Sequence, residues 1–397
     1  MKPPATTPTR RSSLRIGFIP LADATALIVA VDKGFAAAEG LDVELVREVS
    51  WSNVRDRLNI GQFDAAHLLA PVAIASSLGL GHVRVPILAP FNLGLNGNAI
   101  TVTNALHQAI RDHADGDVTD PKVSAAALAR VVAARKRRGQ DPLTFGMTFP
   151  YSTHNYQLRF WMASGGVDPD EDIRLVVLPP PFMVESIANG HVDAFCVGAP
   201  WNSVAVDLGI AHILHFVSEI LQRAAEKVLA VRASWAAENP DVLAGLIRAH
   251  GKAADFVEDI ANREEVSRIL SAPNRINVPA DVIRRTLDGR LKVSPDGTFR
   301  SSDRYLLVGR LGAARPDPVQ AAWLYAQMVR WGQTPMSAEL LEASRAVFRP
   351  DLYDQVLGPP EHRPASEPAD GVGAFAGPAF DAHDIGAHLA PWKIRRF

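Results

Sequence analysis

A chain that repeats the same punctuation about 130 residues apart, at roughly one domain length, is held to a narrow set of folds. The stretch Gly61-Gln62-Phe63-Asp64-Ala65-Ala66-His67-Leu68-Leu69-Ala70-Pro71 is matched by Gly190-His191-Val192-Asp193-Ala194-Phe195-Cys196-Val197-Gly198-Ala199-Pro200. Both read Gly-x-apolar-Asp-Ala, then an apolar run, then Pro. Each follows an expected helix, 51–60 in the first case and 181–189 in the second. Glycine ends a helix at little cost because it tolerates the left-handed conformation. A short apolar run bounded by turn signals reads as a buried strand. The repeat therefore predicts a duplicated α/β architecture, and 397 residues suffice for two or three units of about 150.

Local signals fill in that plan. Leu14, Ile16 and Phe18 alternate like one face of a strand, and 41–45 alternates again. Between them Asp23 is placed to cap a helix carrying Leu27, Ala30 and Val31. Further on, 143–149 reads as a strand, and Thr153 is placed to cap a helix with Leu158, Trp161 and Met162 on one face. A buried strand over 173–178 is broken by Pro179-Pro180-Pro181, which opens the next helix. The strand 228–231 is expected to return to the first lobe, followed by helices at 239–260, 264–270, 280–290 and 318–331. The expected organisation is a flexible N-terminus over 1–13, lobe 1 from 14–103 plus 228–350, and lobe 2 from 104–227. The Pro-, Gly- and Ala-rich end, 351–397, is expected as a tail or strap without packed elements.

Composition removes several function classes. A net charge of −2 gives no basic field for nucleic acid, and Arg135-Lys136-Arg137-Arg138 reads as the solvated end of a helix. Apolar stretches such as 26–31 and 68–75 fall far short of the ~18 residues of a membrane span. Arg10-Arg11 ahead of 16–31 mimics a twin-arginine export signal, but Asp23 and Asp32 interrupt the apolar stretch. With a single cysteine, Cys196, that favours a cytoplasmic location. No phosphate-binding glycine loop, no Gly-x-Ser-x-Gly elbow and no zinc-ligand spacing occurs, His212 and His215 being the nearest approach. A binding protein without cofactor or metal is expected, not an enzyme.

The polar residues at strand-to-helix junctions point to an anion. In open α/β sheets ligands bind at the carboxyl ends of strands, where helix N-termini present free N–H groups. Thr153-His154, Trp51, Asn96-Gly97-Asn98 and Lys227 all occupy such places. They offer an imidazole, an indole N–H, an amide, an ammonium and backbone amides, with no carboxylate among them.

Longer stretches carry a resemblance. They are Gly17-Phe18-Ile19-Pro20-Leu21-Ala22-Asp23, Asp32-Lys33-Gly34-Phe35, 48–56 around Trp51, and Thr148-Phe149-Pro150-Tyr151-Ser152-Thr153-His154-Asn155. Pro179-Pro180-Pro181-Phe182-Met183-Val184 and Asp193-Ala194-Phe195-Cys196-Val197-Gly198-Ala199-Pro200-Trp201-Asn202 complete the set. Over 14–350 the chain resembles the nitrate-binding substrate-binding proteins of ABC importers, and more closely the cytoplasmic NasS-type nitrate/nitrite sensors. The resemblance implies a two-lobed periplasmic-binding-protein-like fold, type II, closing on its ligand. It implies a nitrate or nitrite site at Trp51, Gly97, Asn98, Thr153, His154, Pro180, Gly198 and Lys227, with Asn98 where importers have Gln. In related bicarbonate binders the Lys227 position is acidic and a calcium ion assists, so Lys227 favours nitrate or nitrite without a metal. Ala199 stands where importers usually carry Glu, which implies a sensor that closes on the anion and releases a NasT-type antiterminator response regulator. The alternative is the substrate-binding component of a nitrate or other small-anion ABC transporter.

Overall fold

The computed structural model describes residues 12–358 and 372–397. Most of the N-terminus expected to be flexible lies outside the described residues, and Ser12 and Ser13 already belong to a strand. Five strands of the first sheet are β1 (Ser12–Phe18), β2 (Leu41–Arg47), β3 (Ala65–Leu69), β4 (Ile87–Asn96) and, returning late in the chain, β10 (Ala225–Arg232). The second sheet holds β5 (Asn98–Thr103), β6 (Leu143–Met147), β7 (Ile173–Val177), β8 (Ala194–Gly198) and β9 (Ala211–Phe216). The order is Leu306–Leu307, β4, β10, β3, β1, β2 in the first and β7, β6, β8, β5, β9 in the second. The molecule is an α/β protein of the two-lobed periplasmic-binding-protein type.

The repeated punctuation lands in equivalent places. Gly61 (φ +80°) and Gly190 (φ +70°) end their helices in the left-handed region. The strands that follow, β3 and β8, are buried along their whole length. Each pairs in parallel on one side (β3 with β1, β8 with β6) and with an antiparallel returning strand on the other. The returning strands matter for the site. Lys227 of β10 is in register with Leu69 at the carboxyl end of β3, and Asn98 of β5 with Gly198 at the carboxyl end of β8.

Two expected boundaries move. β5 pairs with β8 and β9, so lobe 2 begins at Asn98 and not after 103. The cause is the turn at Asn96 (φ +61°) and Gly97 (φ +82°), which carries a nearly continuous apolar run from one sheet into the other. Lys227 lies on a strand of the first sheet and not in lobe 2. The chain thus crosses between lobes at Asn96-Gly97 and again over 217–224.

The C-terminal end also departs from expectation. Residues 359–371 lie outside the described residues, but 372–397 pack. Gln222 and Arg223 of the second crossover donate their backbone N–H groups to Gly373 and Val372, and Phe375 donates to Ile220. A short helix, Ile385–Leu389, docks on the helix Pro318–Arg330. The Trp392 ring lies 5.0 Å from Phe160 and 4.0 Å from the Arg330 guanidinium. The Pro-, Gly- and Ala-rich composition hid a few large apolar side chains that suffice to anchor the segment.

Candidate functional site

The carboxyl edges of the two sheets face each other across the crossovers. Backbone and side chain bridge them: Ala22 N–H donates to the Ala199 carbonyl at 2.8 Å, and Trp201 Nε1 to the Pro20 carbonyl at 3.2 Å. Under this contact lies a buried polar cluster built from both lobes.

Its centre is Lys227, fully buried. The ammonium is 2.9 Å from Asp23 Oδ2 and 2.7 Å from Glu226 Oε1, and 5.1 Å from the centre of the Trp51 ring. Asp23 accepts a second bond from His67 Nε2 at 2.8 Å, while His67 Nδ1 receives the Ile19 N–H at 3.4 Å. His67 is therefore the neutral tautomer with its proton on Nε2. From lobe 2, His154 Nδ1 lies 3.1 Å from Thr148 Oγ1 and 3.3 Å from Glu226 Oε1. Asn98 Nδ2 donates to Glu226 Oε2 at 2.7 Å and to Gln157 Oε1 at 3.4 Å.

Each of these positions has a local cause. Ser50 caps the helix Trp51–Asn59 through its side chain, which seats the Trp51 indole at the first turn. Ser152, not Thr153, caps the helix Thr153–Ser164. The Thr153 hydroxyl instead donates to the Ala225 carbonyl at 2.9 Å, tying that helix to the β10 strand. Successive side chains of a regular strand point to opposite faces. Glu226 and Lys227 both reach the cluster because the β10–β4 pairing is irregular between Ala225 and Val228.

The electrostatics are those of a buried site. Burial alone would raise the Asp23 carboxyl, but the Lys227 ammonium and the His67 bond hold it well below the usual carboxylate range. Burial opposes the charge on Lys227, yet Asp23 and Glu226 outweigh it and raise the ammonium. Burial pushes the Glu226 acid up against the pull of Lys227. Burial and then Lys227 push the His154 imidazole well below its ordinary range, so it is neutral.

Buried polar atoms almost always have a hydrogen-bond partner. Here Trp51 Nε1, His154 Nε2 and Gln157 Nε2 are buried without one among the described residues, as is Asn98 Oδ1. Three nitrogens from two lobes around a buried ammonium are chemically suited to the oxygens of a small anion.

The structure brings Trp51, Asn98, Thr153, His154 and Lys227 together, and sets Gly198 beside them. A Cβ built on Gly198 would lie 3.3 Å from Leu21 Cδ2 and 3.4 Å from Asn98 Oδ1 and Asp23 Oδ2, so this backbone closely lines the cluster. Two expectations change. Gly97 has no free amide: its N–H donates to the Tyr305 carbonyl at 2.6 Å and its carbonyl accepts from Ala199. The Asn98 NH2 is spent on Glu226 and Gln157, and the unpartnered donor beside it is Gln157 Nε2. Pro180 is buried in a 3-10 turn after β7, on the same sheet edge, outside the hydrogen-bonded cluster.

The expected shell without a carboxylate is corrected outright by Asp23 and Glu226. Asp23, expected to cap a helix, instead sits inside a 3-10 turn, Ala22–Ala24, with its side chain on Lys227 and His67. Asp23, His67, Glu226 and Gln157 were all missed. Gln157 was within reach, since it lies one helical turn beyond His154. Glu226 was not, because period-two alternation places it opposite Lys227. Cys196 is buried and its thiol is pushed well up by burial and Glu226, which leaves it unreactive.

Among the described residues no helix is long and apolar enough to cross a membrane. Comparison with known proteins matches residues 7–271 to the model of the NMT1-like family. The nitrate/nitrite binding protein NrtA of Synechococcus elongatus is 30% identical over 392 residues, covering 96% of this chain and 86% of that protein. The bicarbonate transport ATP-binding protein CmpC of the same organism is 31% identical over 391 residues, and the chain spans 55% of its length. The crystal structure of the periplasmic nitrate-binding protein NrtA from Synechocystis PCC 6803 superposes with a TM-score of 0.84 at 28% identity, covering 97% of this chain and 99% of that one.

Proposed function

The chain belongs to the NMT1-like family, and from that premise we propose that it binds nitrate or nitrite between its lobes as the substrate-binding component of an ABC-type importer. The observation that carries the reading is the set of unpartnered nitrogens around the buried ammonium: Trp51 Nε1, His154 Nε2 and Gln157 Nε2. Nitrate offers three acceptor oxygens and one negative charge. Charge-assisted hydrogen bonds contribute about 1.5–3 kcal/mol each, so a few of them account for useful affinity.

Donors from both lobes meet one ligand, so the anion favours the closed form by the difference in its affinity for closed and open states. CmpC is by name a transport protein and the Synechocystis NrtA a periplasmic nitrate-binding protein, which supports the importer role over the sensor role read from Ala199. A melting series with sodium nitrate, nitrite, bicarbonate and sulfate tests the ligand. A specific ligand stabilises by RT ln(1 + [L]/Kd), about 2.7 kcal/mol at 100 times Kd. Nitrate and nitrite are expected to raise the melting temperature; a rise with bicarbonate or sulfate alone would overturn the assignment.

A further inference from the structure

Lys227 does not meet an anion with a net positive charge. It already faces two carboxylates, Asp23 at 2.9 Å and Glu226 at 2.7 Å. With both ionised and the histidines neutral, the buried cluster carries one excess negative charge before any anion enters. In a site shut off from water that repulsion is strong.

The His154 ring makes the same point by geometry. A neutral imidazole has a single N–H. Nδ1 lies 3.1 Å from the Thr148 hydroxyl and 3.3 Å from a Glu226 oxygen; an ionised Glu226 favours the ring proton on Nδ1, with the Thr148 hydroxyl as acceptor, and Nε2 is left as a bare lone pair. The one imidazole nitrogen left unpartnered would then repel a nitrate oxygen. A proton on Glu226 reverses this: Nδ1 no longer faces a carboxylate, the Thr148 hydroxyl donates to Nδ1, the ring proton sits on Nε2, and Nε2 becomes a donor to the anion.

We infer that Glu226 is a positioning residue that lets an acceptor-only anion bind only together with one proton, held by the Glu226–His154 pair. The proton comes from bulk water and no bond to the anion is made or broken. The charged and titratable groups around Glu226 agree. Lys227 on its own strand and Asp23 from the turn after β1 are a locked pair, and Cys196 of β8 is a neutral thiol. Asn98 of β5 is uncharged, and the remaining titratable neighbour is His154. Burial already biases Glu226 towards its acid form. For so close a pair the proton belongs to the two residues jointly.

The inference rests on the nitrate or nitrite reading, and calorimetry on the full chain separates the two. Nitrate and nitrite are titrated in phosphate and in Tris at one pH, because the difference in heat between buffers of different ionisation enthalpy counts the protons taken up. Up to one proton per anion is expected. Affinity is expected to fall by up to tenfold per pH unit above the pH at which the free protein's pair loses its proton. Glu226→Gln, neutral at every pH, is expected to bind with no proton uptake and a flat pH profile. Equal heats in both buffers together with a flat wild-type profile overturn the proton coupling alone. Failure of the wild type to bind either anion at any pH overturns the functional reading as well. The wild-type buffer comparison stands whether or not the variant folds.

Discussion

Lys227 shows how far a single residue can be judged from its neighbours in the chain. As a letter before an apolar strand it reads as a solvent-facing end; in the structure it is sealed, paired twice and stacked near an indole. Burying a charge is tolerable only with compensation, and here Asp23 and Glu226 supply it. Lys227→Met is expected to abolish nitrate binding in calorimetry. It is also expected to cost about 3–5 kcal/mol of stability, because two carboxylates lose their partner. The double variant Asp23→Asn with Lys227→Met is expected to recover part of that loss in urea unfolding, since neighbours in one network are not additive, while binding stays lost. An additive pair would show that Asp23 and Lys227 do not stabilise each other. The junction residues Trp51, His154 and Lys227 were legible because strand ends and helix starts are visible in a sequence. The residues that tune them were not. Asp23 was read as a cap because Asp before an apolar helix usually is one. Glu226 was hidden by a local irregularity in strand pairing that no periodicity reports.

At the level of elements, the strand and helix order was legible from period-two runs, glycine stops and prolines. Misreadings fall where local pattern competes with long-range pairing. β5 continues the apolar run of β4, and only the backbone turn at Asn96-Gly97 sends it to the other sheet. Likewise, a segment rich in Pro, Gly and Ala was read as unpacked, although Leu389 within it is fully buried. Leu389→Ala is expected to cost about 2–5 kcal/mol in chemical unfolding, as for a core leucine. A change within about 0.5 kcal/mol, the range of surface substitutions, would show that the strap contributes no packing. The strap pairs with 220–223, one of the two crossovers, so it also backs the segment about which the lobes would turn.

For the whole molecule, the duplicated punctuation announced two lobes, and the fold is the two-lobed binding-protein type. What no sequence pattern states is how the two sheet edges meet, and the site exists only there. The same closed interior sets the response to acid. Burial holds His67, His154, His215 and His250 below the ordinary imidazole range, His250 at about 4. Their folded-state values lie below the unfolded value of about 6.5, so the unfolded chain takes up more protons as pH falls below about 6.5. Asp23, held low in the folded state, adds to the loss below about pH 4. Stability is therefore expected to drop between neutral pH and about pH 5, read as a falling urea midpoint; a midpoint that rises over that interval would contradict the neutral state of these rings.

The central claim is that unpartnered nitrogens from two lobes wait for one small oxyanion beside Lys227. A crystal structure of the nitrate complex tests it most directly. The account expects a single nitrate with its oxygens within hydrogen-bond distance of Lys227 Nζ, Trp51 Nε1, His154 Nε2 and Gln157 Nε2. Nitrate bound elsewhere, with those nitrogens still unpartnered, would contradict it.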